Sequence, residues 1–323
     1  MIYTVTLNPT IDRTLRYERL VLGAVNRATS ARTDLSGKGV NVSVALRQMG
    51  LPSVLLGLAA GVSGRTLVEG LRAAGFDCDF VQMEAGETRS NITVIDEATG
   101  LTTKLNEAGP AVGAEHLSAL VERLRQRLAP GDVCVFSGSL PPGAPDDSYA
   151  RLIGAARACG ARTVLDSSGA PMRLGCAARP DWIKPNTLEA AELLGCPEPS
   201  LDTPHALASA IVELMELGPT HVLLTLGARG AVCAEKVALP PARYMVGQAA
   251  QHPRGEQRGG GRCRPGRRPL CLDPGRAGER LGALGGGGGH CRGPGRGHRH
   301  AQPGAHPGAV CAGERESPVT GAE

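Results

Sequence analysis

At 323 residues the chain can hold one large α/β domain or two ordinary ones, and either would bury a sizeable core. Its formal net charge of +4 comes from arginines crowded after about residue 250. The first three quarters are close to neutral or acidic, which argues against a nucleic-acid-binding body. Ten cysteines are scattered without CxxC pairs, mostly inside apolar runs, so most are expected to be buried, reduced thiols of a cytoplasmic protein and not disulfides or zinc ligands.

The opening MIYTVTLNPTID alternates like a strand and carries no basic segment followed by an apolar one, so neither a signal peptide nor a membrane span is expected. From there to about residue 246 short β-branched runs alternate with helical stretches. Strands are predicted over 2–7, 53–57, 132–137, 162–166, 182–184 and 221–225, and helices over 39–49, 64–74, 114–128, 147–158, 188–194 and 204–216. That alternation specifies a mostly parallel sheet covered by helices, with polar residues gathering where strands stop. Two segments break it, 13–34 and 87–107, and are predicted to form a small antiparallel flap at the sheet edge. After Val246 the chain contains no Phe, Tyr, Trp, Ile, Lys or Asn and cannot build a packed core, so 247–323 is expected to be a disordered Gly/Arg/Pro-rich tail.

Five constellations can carry chemistry. Asn8, Pro9 and Asp12 follow the first strand, where a carboxylate can accept from two sugar hydroxyls, or where Asp12 simply caps a turn. Ser36, Gly37, Lys38, Gly39, Val40 and Asn41 lead into a helix with small residues that allow close backbone approach; the run lacks the spacing of a Walker-type loop. Ser137 to Gly143, SGSLPPG, forms a rigid turn that can wall a pocket or only end a strand. Lys184, Pro185 and Asn186 with Glu189 put an amide and a carboxylate on one helical face, fit for a hydrated magnesium ion and equally for a capping box. Thr225 to Ala231, with Gly227 and Gly230, can bring backbone amides onto phosphates or serve any left-handed turn.

In order and spacing, TLNPTID, SGKGVNVSVALRQMG, GETRSNITV with LNEAGP, FSGSLPPG, VLDSSG, IKPNTLE and TLGARGA resemble the PfkB branch of the ribokinase-like superfamily along almost all of residues 1–246. The likeness is strongest to its 1-phosphofructokinase members, with tagatose-6-phosphate kinases and the minor 6-phosphofructokinase near by. The resemblance implies a three-layer α/β/α sandwich with a small β-sheet lid that phosphorylates a sugar hydroxyl using ATP and Mg2+. It implies that Asp12, Gly37 and Asn41 bind sugar hydroxyls and that Arg27, Lys38 and Arg89 face the substrate's own phosphate, with Ser139 beside them. Lys184, Asn186 and Glu189 would serve nucleotide and metal, the latter two through water, and Thr225, Gly227 and Gly230 would line the nucleotide pocket. A small-molecule sugar phosphate is the implied partner, with no nucleic acid and no membrane, and a homodimer through the lid is possible by analogy. Ser36 stands where the family usually has glycine.

The family also carries a C-terminal Gly-Ala-Gly-Asp motif, whose amides hold the transferring phosphoryl group and whose Asp is the general base. This chain has none; Asp273, in CLDPGR, is the one Asp after Val246 and opens no helix. No catalytic residue can therefore be assigned. The genetic code offers an account. Joining the second and third bases of each codon from Glu256 to Cys263 to the next first base, with CGN arginines, permits Asn-Ser-Val-Gly-Ala-Gly-Asp-Ala. A frameshift, natural or from sequencing, is the expectation. The rivals are a genuine Arg/Gly-rich RNA-binding arm, which would normally interleave aromatics, a metal site at Cys291, His298 and His300 without paired spacing, and a catalytically dead sugar-phosphate-binding protein.

Overall fold

A computed structural model describes residues 1–236 together with the backbone of two short strands, Tyr244–Val246 and Leu270–Leu272, which pair antiparallel. The expectations for the tail, including Cys291, His298, His300 and the disorder of 247–323, lie outside the described residues.

The first strand, β1 (Ile2–Thr6), runs directly into β2 (Thr10–Tyr17), which pairs with β3 (Ser30–Ser36) and leads to α1 (Lys38–Gln48). Then come β4 (Val54–Ala60), α2 (Gly61–Ala73), β5 (Asp77–Met83), β6 (Arg89–Asp96), β7 (Thr102–Asn106) and α3 (Ala114–Arg127). The second half alternates β8 (Val133–Ser137), α4 (Ser148–Ala158), β9 (Arg162–Asp166), α5 (Gly169–Ala177), β10 (Trp182–Ile183), α6 (Thr187–Leu194), α7 (Pro204–Glu216), β11 (His221–Thr225) and β12 (Ala231–Glu235).

Eight strands form one sheet in the order β12-β11-β10-β9-β8-β1-β4-β5, parallel except for β12. In β4, VLLGLAA is buried at every position, as a strand covered on both faces must be. Leu55 and Ala59 pack with Val40 of α1 and Leu67 of α2, while Val54, Leu56 and Leu58 join the core that runs under α3 to α7. Gly57 is required where β1 and β4 approach, because a Cβ there would lie 2.1 Å from the Thr6 carbonyl oxygen.

The β8 to β12 half is unequal on its two faces. Phe136, Leu165, Ile183, Val222 and Ala234 are buried against the α4 to α7 side. On the opposite face Val135, Val164 and Trp182, paired in register, and Leu223 and Cys233, paired with each other, are only half-buried. The six described cysteines are free thiols, three of them buried, and burial pushes Cys78 up to about 11 and Cys176 up to about 12.

The flap is a second sheet, β3-β2-β6-β7. It corrects the prediction of an antiparallel flap: the central pair, β2 and β6, is parallel over eight residues. The reason is that β2 continues from the end of β1 and β6 follows β5, two parallel strands of the main sheet, so both leave it in the same direction. Three further elements escaped the sequence reading. These are β5, whose alternation was blurred by two aspartates; α5, whose GAPMRLGCA is rich in Gly and Pro; and the antiparallel edge β12.

Candidate active site

The candidate residues collect where β1, β8, β9, β10 and β11 end and where the flap joins the sheet. Gly37 precedes α1 with φ 139, and a Cβ there would press on Pro9 and Thr6 at 3.1 and 3.3 Å, so only glycine permits this entry into the helix. The next residues present Lys38 and, one turn on, the exposed Asn41, whose Oδ1 accepts from Ser36 Oγ at 3.4 Å. Ser36 thus occupies the usual glycine position with its hydroxyl used locally.

Asp12 sits mid-way across the flap floor, in register with Asp34 of β3 and Asn91 of β6. Its Oδ1 accepts from Thr10 Oγ1 and Asn91 Nδ2, both at 3.1 Å, and its Oδ2 has no hydrogen bond among the described residues. Arg89 opens β6 beside it. Its Nη1 and Nη2 donate to the carbonyls of Glu107 and Asn8 at 3.3 and 3.1 Å, and its Nε is buried without a partner among the described residues. Burial pushes this guanidinium below its ordinary pKa, with Asp12 opposing the shift. Glu107 secures the same corner by accepting from Ser90 N at 2.8 Å. An open cleft of about 580 Å³ lies here, lined by Asn8, Arg89, Ser139, Asp146 and Ser167 among others. Ser139 follows the turn at Gly138, φ 113, whose carbonyl accepts from Tyr149 Oη and Ser167 Oγ, both at 3.0 Å.

Between the two halves of the site stands Asp166, at the end of β9. One of its oxygens, Oδ1, meets Lys38 Nζ at 3.4 Å and Lys184 Nζ at 3.3 Å. Sequence reasoning quoted VLDSSG without giving this Asp a role, although a carboxylate ending a central strand was the available signal.

On the far side, Asn186 caps α6. Its Oδ1 accepts from Glu189 N at 2.8 Å while Glu189 Oε2 accepts from Asn186 N at 2.9 Å, so the capping-box reading holds. The metal reading stays compatible with it, because Glu189 Oε1 has no hydrogen bond among the described residues. Thr225 ends β11 next to Asn186 in a parallel bridge, and its N donates to the Pro185 carbonyl at 2.9 Å. Gly227 and Gly230, at φ 59 and 98, close the following turn through Leu226 N to Gly230 O at 2.8 Å.

Arg27 is not brought to this cluster. It is exposed in the loop between Tyr17 and Ser30, at the distal end of the flap, while Thr10, Ser36 and Arg89 lie in register at the proximal end. Seven strand residues separate the two ends, on the order of 23 Å at the usual rise. Sequence adjacency to the flap could not show which end a loop residue occupies.

The comparisons agree with this architecture. The model of the pfkB family of carbohydrate kinases matches residues 5–244. A 1-phosphofructokinase of Xanthomonas campestris pv. campestris is 38% identical over 246 residues, covering 74% of this chain and 76% of the relative. One of Bacillus subtilis is 33% identical, covering 72% and 74%. Phosphofructokinase-2 of Escherichia coli, solved in complex with fructose-6-phosphate, superposes with a TM-score of 0.67 at 29% identity, covering 75% of this chain and 80% of that one. The chain belongs to the pfkB family of carbohydrate kinases. It is therefore of the sugar-phosphate kinase class, which transfers phosphate to an alcohol group.

Proposed function

We propose that this kinase fold serves the ATP-dependent phosphorylation of fructose 1-phosphate to fructose 1,6-bisphosphate, and that the chain as written performs it poorly or not at all. Arg89 carries the reading on the substrate side. A half-buried guanidinium with an unpartnered Nε and no carboxylate within salt-bridge distance among the described residues is suited to a ligand's phosphate. Asp12, Gly37 and Asn41 would then receive the sugar, with Lys38 and Ser139 beside the phosphate. The names of the curated relatives favour fructose 1-phosphate over fructose 6-phosphate or tagatose 6-phosphate, the alternatives. The compartment proposed is the cytoplasm, and the assembly a homodimer through the flap, which would leave Arg27 at that distal face.

Lys184, Thr225, Gly227 and Gly230 would hold ATP. Magnesium fits the donors present. No cluster of three or more acidic, His or Cys ligands exists among the described residues, and this hard cation commonly keeps several waters while using one carboxylate and substrate phosphates. Glu189 Oε1, with Asn186 at its side, would meet such a hydrated ion, whose chemistry is to screen charge on the phosphates.

The proposed impairment follows from residues 247–323. The family match stops at residue 244, and the match to the Xanthomonas relative covers 76% of that relative, so the 77 residues after Val246 add nothing to the family likeness. The neighbouring frame from Glu256 to Cys263 permits the missing Gly-Ala-Gly-Asp. The half-buried apolar residues Val135, Val164, Trp182, Leu223 and Cys233 on one sheet face support the same account, since such a face calls for a covering layer. Loss of a general base costs about 10²–10⁴ in rate, and loss of an anion hole about 10²–10³. The test is to express the chain as written and with the frame restored between codons 247 and 256, and to assay all three ketose phosphates. The expected result is turnover at least about 10³-fold higher after restoration, highest on fructose 1-phosphate. Turnover of the unaltered chain at about 10 s⁻¹, an ordinary enzyme rate, would refute it. Sugar-phosphate binding with no turnover in either version would support the dead-binder alternative.

A further inference from the structure

Asn8 follows β1 at the floor of the cleft and has no role in the scheme above. It is 4% exposed. Its Nδ2 donates to the Ala108 carbonyl at 3.0 Å, and because a carbonyl accepts only from the nitrogen end, the amide orientation is set by chemistry. The other end, Oδ1, is buried and has no hydrogen-bond partner among the described residues. Burying an acceptor without a donor is unfavourable, and a site that does so is prepared for one.

Two observations indicate where that donor enters. Asn8 lines the cleft beside Arg89 and Ser139, and its backbone carbonyl accepts from Arg89 Nη2 at 3.1 Å, so one residue carries the free oxygen and steadies the guanidinium. Facing Oδ1 is Gly109 at φ +101, where a Cβ would come within 2.4 Å of that oxygen. Any larger residue at 109 would clash with this oxygen, so glycine is what keeps Oδ1 from being crowded by the flap.

We infer that Asn8 is a substrate-contacting residue whose Oδ1 accepts a hydrogen bond from a hydroxyl of the phosphorylated sugar whose phosphate meets Arg89. This rests on the sugar-phosphate reading. Since Oδ1 can only accept, the contact selects a sugar with a hydroxyl at that carbon against its deoxy analogue; buried polar groups left unpaired make such discrimination steep.

Calorimetric titration of the full chain as written tests it, with fructose 1-phosphate, its monodeoxy analogues and inorganic phosphate as probes. Asn8→Ala is expected to weaken fructose 1-phosphate about 10-fold while inorganic phosphate stays within about twofold. One deoxy analogue should show the same loss on the unaltered chain and be indifferent to Asn8→Ala. Because Asp12 and Asn41 also face hydroxyls, the loss assigned to Asn8 is the one that disappears in the variant; if Asn8→Ala does not fold, Asn8→Ser takes its place in the same comparison. A parallel loss of inorganic phosphate would mean that Asn8 acts through Arg89 and would overturn the contact, as would a deoxy series in which every analogue binds like the parent. Binding of fructose 1-phosphate untouched by Asn8→Ala removes Asn8 alone. An unaltered chain that binds neither fructose 1-phosphate nor inorganic phosphate overturns the sugar-phosphate reading and the contact with it.

Discussion

The two sides of the site satisfy their polar groups in different ways. On the flap side, Asn8, Asp12, Arg89 and Asn91 are joined across segments up to about a hundred residues apart, and three of their atoms, Asn8 Oδ1, Arg89 Nε and Asn91 Oδ1, are buried without partners among the described residues. On the α6 side, Asn186 and Glu189 satisfy each other within four residues, and the Gly227–Gly230 turn closes on itself. A region with orphaned polar atoms is preorganised for a ligand, whereas a region satisfied locally is stable by itself and lends only its spare donors and acceptors. Asp166, shared by Lys38 and Lys184, joins the two.

Four experiments sharpen or break this contrast. The largest effect is expected from Asp12→Ala in a frame-restored protein. Two charge-assisted hydroxyl contacts are worth about 10²–10⁴ in kcat/KM, while ATP affinity should change by less than about twofold. Equal loss of nucleotide binding would move Asp12 off the sugar side. Arg89→Met follows, with fructose 1-phosphate affinity falling about 10- to 150-fold, because a charge-assisted contact to phosphate is replaced by an apolar stem. Retained affinity in calorimetry would assign the phosphate to another cation.

On the α6 side the expectation is a division of roles. Asn186→Ala removes the cap and should lower stability by about 1 kcal/mol, visible as a lower melting temperature. Glu189→Gln keeps an oxygen to accept from Asn186 N, so melting is expected to hold while the magnesium requirement of the frame-restored enzyme rises several-fold. Similar melting losses in both would make Glu189 a cap and nothing more.

The smallest effect concerns Glu87, in the link from β5 to the flap, which accepts from Ser63 N at 2.7 Å and Val62 N at 3.2 Å at the start of α2. The Ser63 backbone hydrogen bond, foremost, holds this carboxyl below its ordinary 4.5. A lowered folded pKa means stability that is present above 4.5 and lost as pH falls through the folded value. The difference between the protein and Glu87→Gln should therefore be constant near neutrality and shrink in acid melts; a difference that persists at low pH would exclude the carboxylate as its source.

Six of the eight main-sheet strands were legible from their β-branched runs, with ends within a few residues. Strand 182–184 stops at Ile183, just ahead of Pro185, whose nitrogen has no hydrogen to give the ladder. β5 and α5 were missed since aspartates and glycines blur the periodicities that mark strands and helices. The motifs named candidate residues but could not rank them. The spacing of Asn186 and Glu189 suits a capping box and a metal site alike; the structure shows the box, with Glu189 Oε1 left out of it.

The sequence by itself determined most of the extended and helical segments, where strands end in polar residues, and that the text changes character after Val246, because periodicity, propensity and composition are local properties. The tertiary structure decided the parallel pairing in the flap, the distal place of Arg27, the sharing of Asp166 by two lysines and the unpaired oxygen of Asn8 facing Gly109. Those facts depend on which distant segments meet. Chain direction and the approach of one backbone to another arise only when the strands have taken their places in the sheet.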